Sequence, residues 1–288
     1  MPELPEVETI VRALVDGGRD GPSIVGRTVR GVELGWERTV AMPDAQGFIA
    51  GLIGQRVEGV SRRGKFVVIR LKGASLLFHL RMSGDLIVHP NGVSGEEDPG
   101  ARYDRLRIRL DDGSVLVFRD ARKFGRAWLS ADPQSILGGL GPEPLDAALR
   151  PEDFYRRLVE RNRQVKPLLM DQSFLAGVGN IYSDEALHLA KIHPRRVSST
   201  LNQEEAGRLL AALRSVLEEG IRRNGASIDW VYRGGSFQDM FRVYGREGQP
   251  CPVCGTPIVR LRIAERSSYV CPSCQPEPAA AAAARPGA

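Results

Sequence analysis

The sequence predicts an α+β protein: an antiparallel β domain opened by one helix, then a helical region, then a short cysteine-bearing hairpin. Three observations carry this. Behind Pro5, the residues Val7, Ile10, Val11 and Leu14 recur at helical spacing, and Gly17-Gly18 stop the pattern. From about residue 24 to 130 the chain turns to short alternating or apolar runs with Gly, Asp and Asn between them. After residue 150 the helical period returns and lasts until a cluster of four cysteines.

The strand runs are RTVRGVEL, KFVVIRL, SLLFHLRM, DRLRIRL and SVLVFRD, a pattern that suits a sandwich. HPNGVSGEEDPGA is a polar loop. Gly138 to Pro144 is rich in Gly and Pro and reads as a linker. Four helices follow. PEDFYRRLVERN has Pro151 and two acidic residues in its first turn, KPLLMDQ is short, NIYSDEALHLA is amphipathic, and NQEEAGRLLAALRSVLEEGIRRNG is closed by Gly225. From 226 the chain returns to loop and β. PEPAAAAAARPGA at the end is low in complexity and predicts disorder. The expected divisions are 1–137, a linker at 138–144, 145–238, 239–275 and a tail at 276–288. No internal repeat is present.

The chain has 288 residues, 42% hydrophobic, enough for one large or two ordinary domains with cores. Lys and Arg number 40 against 35 Asp and Glu, and a net charge of +5 suits a polyanionic partner such as nucleic acid. Only five of the cations are Lys: Lys65, Lys72, Lys123, Lys166 and Lys191. The first residues, MPELPEVETIV, show no basic and no apolar signal region, and no apolar run reaches membrane-spanning length. The expectation is a soluble cytoplasmic protein.

Cys251, Cys254, Cys271 and Cys274 form C-x2-C…C-x2-C, the spacing of a tetrahedral zinc ribbon rather than of a disulfide framework. Four thiolates leave no open position, so such a zinc is structural. The hairpin it would hold, PIVRLRIAERSSYV, carries Arg260, Arg262 and Arg266, a plausible grip for phosphate; a basic hairpin without a partner is the plain alternative.

Pro2 follows Met1, and removal of Met1 before so small a residue is expected. The freed secondary amine would have a pKa of about 8, so roughly 10% is neutral at pH 7, against well under about 0.1% of a lysine. Attack by a secondary amine on an aldehyde-level carbon gives an iminium, a built-in electron sink. Glu3 beside it is placed to act as general acid and base. Ordinary helix capping by Pro and Glu accounts for the same residues.

The string MPELPEVET resembles the start of formamidopyrimidine-DNA glycosylases, bacterial enzymes that remove 8-oxoguanine and ring-opened purines. The resemblance continues through RRGKF at 62–66, HLRMSG at 79–84, RDARKFG at 119–125, VKPLLMDQSFLAGVGNIYSDEAL at 165–187, VYGREGQPC at 243–251 and ERSSYVCPSCQ at 265–275. It implies a β-sandwich with an N-terminal helix, then a helix–two-turn–helix domain and the zinc finger, with damaged double-stranded DNA between them. It implies a bifunctional glycosylase and lyase acting as a monomer, associated with the nucleoid through DNA, with zinc as its one cofactor. Pro2 would attack C1′, and Glu3 would protonate the sugar ring oxygen with Glu6 supporting it. β- and δ-elimination would follow.

The resemblance also implies that Lys65 contacts the backbone around the lesion, where a strand-edge charge is the plain alternative. His79, Asn180 and Arg266 match phosphate contacts, Arg266 among the catalytic set; Asn180 could equally be an N-cap. Lys166 matches a lysine near the lesion-side phosphate, against a solvated helix start. Met82, Arg122 and Phe124 match the residues that fill the hole left by the extruded base. Without the family, Met82 and Phe124 read as core.

Two departures stand out. Ala121 replaces a usual Pro. The segment GASIDWVYRGGSFQ at 225–238 is shorter than the family's lesion-capping loop and adds Trp230 and Tyr232, which leaves the lesion ranking open. Two other readings compete: an endonuclease VIII-like enzyme for oxidised pyrimidines, and a non-catalytic zinc-ribbon protein that binds damage. The PELPEVE start and Phe124 argue against the first; Pro2, Glu3 and Lys65 argue against the second.

Overall fold

In a computed structural model, residues 1–19, 21–91, 98–227 and 234–278 are described. They fall into two compact units, residues 1–139 with 220–238, and residues 140–219 with 239 onward.

The first unit opens with α1 (Leu4–Asp16), whose N-cap is Glu3. Glu6 at the third helical position reaches back, its Oε2 accepting the Glu3 N–H at 2.7 Å, and Gly17 at φ 79° ends the helix. Leu4, Val7, Ile10, Val11 and Leu14 bury one face, as the spacing predicts. Then come β1 (Val29–Leu34), β2 (Val40–Met42), α2 (Ala45–Leu52), β3 (Val57–Arg63), β4 (Phe66–Leu71), β5 (Ser75–His79), β6 (Gly84–His89), β7 (Asp104–Leu110), β8 (Val115–Asp120), β9 (Arg126–Ser130) and the single turn α3 (Gln134–Leu137).

The strands form two sheets, in the orders β1-β7-β8-β6 and β2-β9-β5-β4-β3, antiparallel except for β2 beside β9. The sandwich is observed. Val67, Ile69, Leu76 and Phe78 of one sheet share a core with Leu86, Leu106, Ile108 and Phe118 of the other, and the rings of Phe78 and Phe118 meet at 5.2 Å. α1 packs on β3 and β4, adding Val7, Ile10, Val11 and Leu14 to that core.

The second unit holds α4 (Pro151–Val159), α5 (Val165–Met170), α6 (Asn180–Leu189) and most of α7 (Gln203–Arg222), followed by the hairpin of β10 (Val259–Ile263) and β11 (Arg266–Val270). Gly225, at φ 79°, closes α7 by donating to Gly220 O at 2.7 Å. The Gly- and Pro-rich stretch at 138–144 is pinned: Gly141 N bonds Gln172 O at 2.8 Å, and Ala176 N bonds Pro142 O at 2.9 Å.

The amphipathic reading of α6 is corrected. Ile181 through His188 are all buried, Ser183, Asp184, Glu185 and His188 included. The polar side of this helix meets polar groups of the cysteine-bearing module instead of water.

Candidate active site

In the first unit, Pro2 and Glu3 are buried at the start of α1, where the helix presents its positive end to the Glu3 carboxylate. With Met1 in place the Pro2 nitrogen is part of a peptide bond. Glu6, only 2% exposed, accepts the Glu3 N–H on one oxygen and the Ala226 N–H on the other at 2.8 Å. One carboxylate thus ties the N-terminus to the segment that begins at Gly225. A Cβ on Gly225 would lie 2.7 Å from Glu6 Cγ and Oε1, so the approach requires glycine. Beyond it, Ser227 Oγ donates to Gly235 O and accepts from Gly235 N, both at 2.9 Å, and draws the two arms of the segment together. Trp230 and Tyr232 lie outside the described residues.

Lys65 is the second residue of the two-residue turn between β3 and β4, behind Gly64 at φ 57°. It is buried, not a solvated strand-edge charge. Arg62 on β3 reaches Glu8 on α1 at 3.1 Å, so the hairpin bearing Lys65 lies against the first turns of that helix. His79 ends β5, opposite Phe66 and edge-on to its ring. Its Nδ1 accepts the Arg81 N–H at 3.1 Å, which places the proton of the neutral ring on Nε2. Burial, then the charges of Arg81 and Lys65, lower its pKa to about 3. His79 is therefore a neutral donor in a positive surrounding.

Met82 and Phe124, which apolar character alone would put in the core, are 39% and 48% exposed. Each stands in a turn next to a residue forced to positive φ, Arg81 at 54° and Lys123 at 60°. The Arg122 guanidinium sits 5.0 Å above the Phe124 ring. One carboxylate holds both turns. Buried Asp120 accepts from Ser83 Oγ, from Arg122 N at 3.1 Å and from Gly125 N at 2.7 Å, and Arg122 N also reaches Ser83 Oγ at 3.0 Å. Asp120 and Ser83 were not singled out from the sequence; their place beside the exposed residues was the available signal.

In the second unit, Asn180 is the first residue of α6 and Gly179 its N-cap, so the plain N-cap reading is corrected. Its Oδ1 is buried without a hydrogen-bond partner among the described residues. Lys166 is 1% exposed, not a solvated helix start; its Nζ bonds Asp184 Oδ1 at 2.8 Å and Ser267 O at 2.9 Å. Asp184 also accepts from Ser268 Oγ at 2.7 Å and Tyr269 N at 3.0 Å. Burial pushes its pKa up to about 6, against the opposing charge of Lys166. Glu185 accepts three successive N–H groups, Arg242, Val243 and Tyr244, at 2.9, 3.0 and 2.8 Å. Arg266, exposed, leads β11 after the turn residues Ala264 and Glu265, both at positive φ.

The four cysteine sulfurs lie within 4.8 Å of one another. Separations of 3.4, 3.5 and 3.9 Å bracket the about 3.8 Å edge of a tetrahedron with 2.3 Å zinc–sulfur bonds. The residues present fit one structural zinc ion.

Sites of this kind are known in other proteins. The family models describing the formamidopyrimidine-DNA glycosylase N-terminal domain, its H2TH domain, and the zinc finger found in FPG and IleRS match residues 1–127, 140–231 and 248–276. The formamidopyrimidine-DNA glycosylase of Pelotomaculum thermopropionicum is 40% identical over 96% of this chain and 99% of its own. That of Heliobacterium modesticaldum is 44% identical over 96% and 100%. The crystal structure of MutM (Fpg) from Thermus thermophilus is similar with a TM-score of 0.83 at 39% identity, covering 96% of this chain and all of its own. The Lactococcus lactis Fpg complex with DNA containing an abasic site scores 0.85 at 32% identity with the same coverage.

The neutral state of His79 has a measurable consequence. Below pH 6.5 an unfolded histidine takes up a proton that the folded His79 refuses down to about pH 3, so this residue's stability contribution is lost as pH falls. Urea unfolding at pH 5 is expected to show a loss of up to about 2 kcal/mol from this group relative to pH 7. His79→Gln should flatten the pH dependence by that amount.

Proposed function

The chain belongs to the formamidopyrimidine-DNA glycosylase family and is a DNA glycosylase and AP lyase of base excision repair; on that footing we propose that its nucleophile is the amine of Pro2 after Met1 is removed. The observation that carries this is the buried start of α1. Glu3 stands next to Pro2 at the helix N-cap, and Glu6 fixes the Glu3 backbone from behind.

In this reading the Pro2 nitrogen bonds C1′ of the damaged nucleotide, the bond to the base breaks with its electron pair leaving on the base, and the base takes up the proton that the nitrogen sheds. The sugar ring then opens as O4′ takes a proton from Glu3, and the nitrogen lone pair completes the iminium. Loss of a C2′ proton into that sink expels the 3′ phosphate, and a second elimination expels the 5′ phosphate. Lys65 and the Nε2–H of His79 bind backbone phosphate around the lesion, and Asn180 and Arg266 do so from the second unit. Lys166 acts less as a direct contact than by holding the strand behind Arg266, since Asp184 and Ser267 engage its ammonium. Met82, Arg122 and Phe124 occupy the space of the extruded base. Their exposure at two turns joined by Asp120 supports this.

We assign oxidised and ring-opened purines in duplex DNA as substrates. Solved relatives are complexes of MutM with carbocyclic 8-oxo-G DNA and of Lactococcus lactis Fpg with Fapy-dG DNA. The protein acts as a monomer and reaches the nucleoid through its phosphate contacts. Among the described residues no helix is long and apolar enough to cross a membrane. Residues 1–137 supply the chemistry together with the contacts of Lys65, His79 and the exposed turns, while 145–238 and 239–275 add further DNA contacts, with the zinc holding the finger.

Pro2→Gly and Glu3→Gln are expected to keep duplex binding within about threefold by gel shift. Cleavage at an 8-oxoguanine duplex should fall at least about 100-fold. Unchanged cleavage by both would refute the assignment. Met82→Ala with Phe124→Ala should slow base excision from duplex by about tenfold or more, yet spare cleavage at a preformed abasic site, where no base must be displaced.

A further inference from the structure

We propose that His188 is a hydrogen-bond donor to the zinc site, its Nε2–H donating to the Cys251 thiolate and fastening α6 to the metal-bearing module. The two residues are far apart in sequence, yet His188 Nε2 lies 3.4 Å from Cys251 Sγ and both side chains are buried. The other ring nitrogen, Nδ1, is buried with no partner among the described residues. That asymmetry fixes the proton. On Nδ1 it would be an orphaned buried donor, and the Nε2 lone pair would face those of the sulfur; on Nε2 it is paired.

The charge of the site explains why a donor is placed there. Four thiolates around one divalent zinc carry a net charge of about −2. Cys254 is exposed and can lean on water, and Thr256 Oγ1 lies 3.4 Å from its sulfur. Cys251 is buried, with the Val253 N–H at 3.4 Å as its local donor. His188 supplies a second donor from outside the module. The same helix holds that module at two further places, through Asp184 to Ser268 and Tyr269, and through Glu185 to residues 242–244. Of the three, His188 alone touches a metal ligand, which makes it a positioning residue for the zinc.

The test uses zinc-loaded full-length protein. His188→Phe keeps the ring volume without the donor; His188→Gln keeps an N–H. Zinc transfer to a chromogenic chelator should be about tenfold faster from the Phe variant and restored toward the native rate in the Gln variant. In cobalt-substituted protein, the thiolate-to-cobalt band should shift in the Phe variant only. Equal release and an unshifted band in His188→Phe would overturn the proposal, as would Gln behaving like Phe. Should the Phe variant fail to fold, imidazole nitrogen shifts of the native protein decide: an Nε2–H tautomer is expected, and an Nδ1–H tautomer contradicts it.

Discussion

A carboxylate taken out of water must be met by donors, and that requirement arranges this protein at four places. Glu6 is met by the N–H groups of Glu3 and Ala226, Asp120 by Ser83, Arg122 and Gly125, Asp184 by Lys166, Ser268 and Tyr269, and Glu185 by residues 242–244. Three of them fix the backbone beside a group that is proposed to act, namely the Pro2–Glu3 terminus, the exposed turns and the strand that begins at Arg266, and Glu185 fixes residues 242–244. Removing a partner would leave a charge unpaired in a low-dielectric interior, so each arrangement is stiff.

Stiffness matters for this chemistry. An amine attacking a sugar carbon needs its acid within hydrogen-bond reach, and an extruded base leaves a void that rigid side chains must fill. The cations around the site serve the same end. His79 stays neutral because burial and the charges of Arg81 and Lys65 disfavour a further proton, and it is left with one N–H pointing away from its Arg81 bond. With all four positions taken by thiolates, the zinc is structural and ties together the two ends of the β10–β11 hairpin that carries Arg266.

Much of the fold was legible in the sequence. The spacing of α1, five of the strands and the cysteine ribbon follow from period and turn chemistry. β2, β3, β6 and β9 and the helix α2 escaped it. β2 has three residues, and α2 carries Gly47 and Gly51 inside it, the latter so close to β9 that a Cβ would meet Leu129 at 2.8 Å. Reading α6 as amphipathic failed for a physical reason: a polar residue facing a buried polar partner looks, in sequence, like one facing water. Met82 and Phe124 show the converse, apolar residues held in solvent by turns whose cost is met elsewhere. Roles for Pro2, Lys65 and Arg266 came from resemblance, since helix capping, a hairpin turn and a basic strand explain the same letters.

The most direct measurement is reductive trapping. Processed protein, lacking Met1, is mixed with a duplex carrying 8-oxoguanine opposite cytosine, borohydride is added, and the covalent complex is digested and mapped. An adduct on the N-terminal peptide, at Pro2, is expected, and none when Met1 is retained. An adduct on a lysine, or cleavage of the strand with no adduct at all, would contradict the assignment of Pro2 as nucleophile.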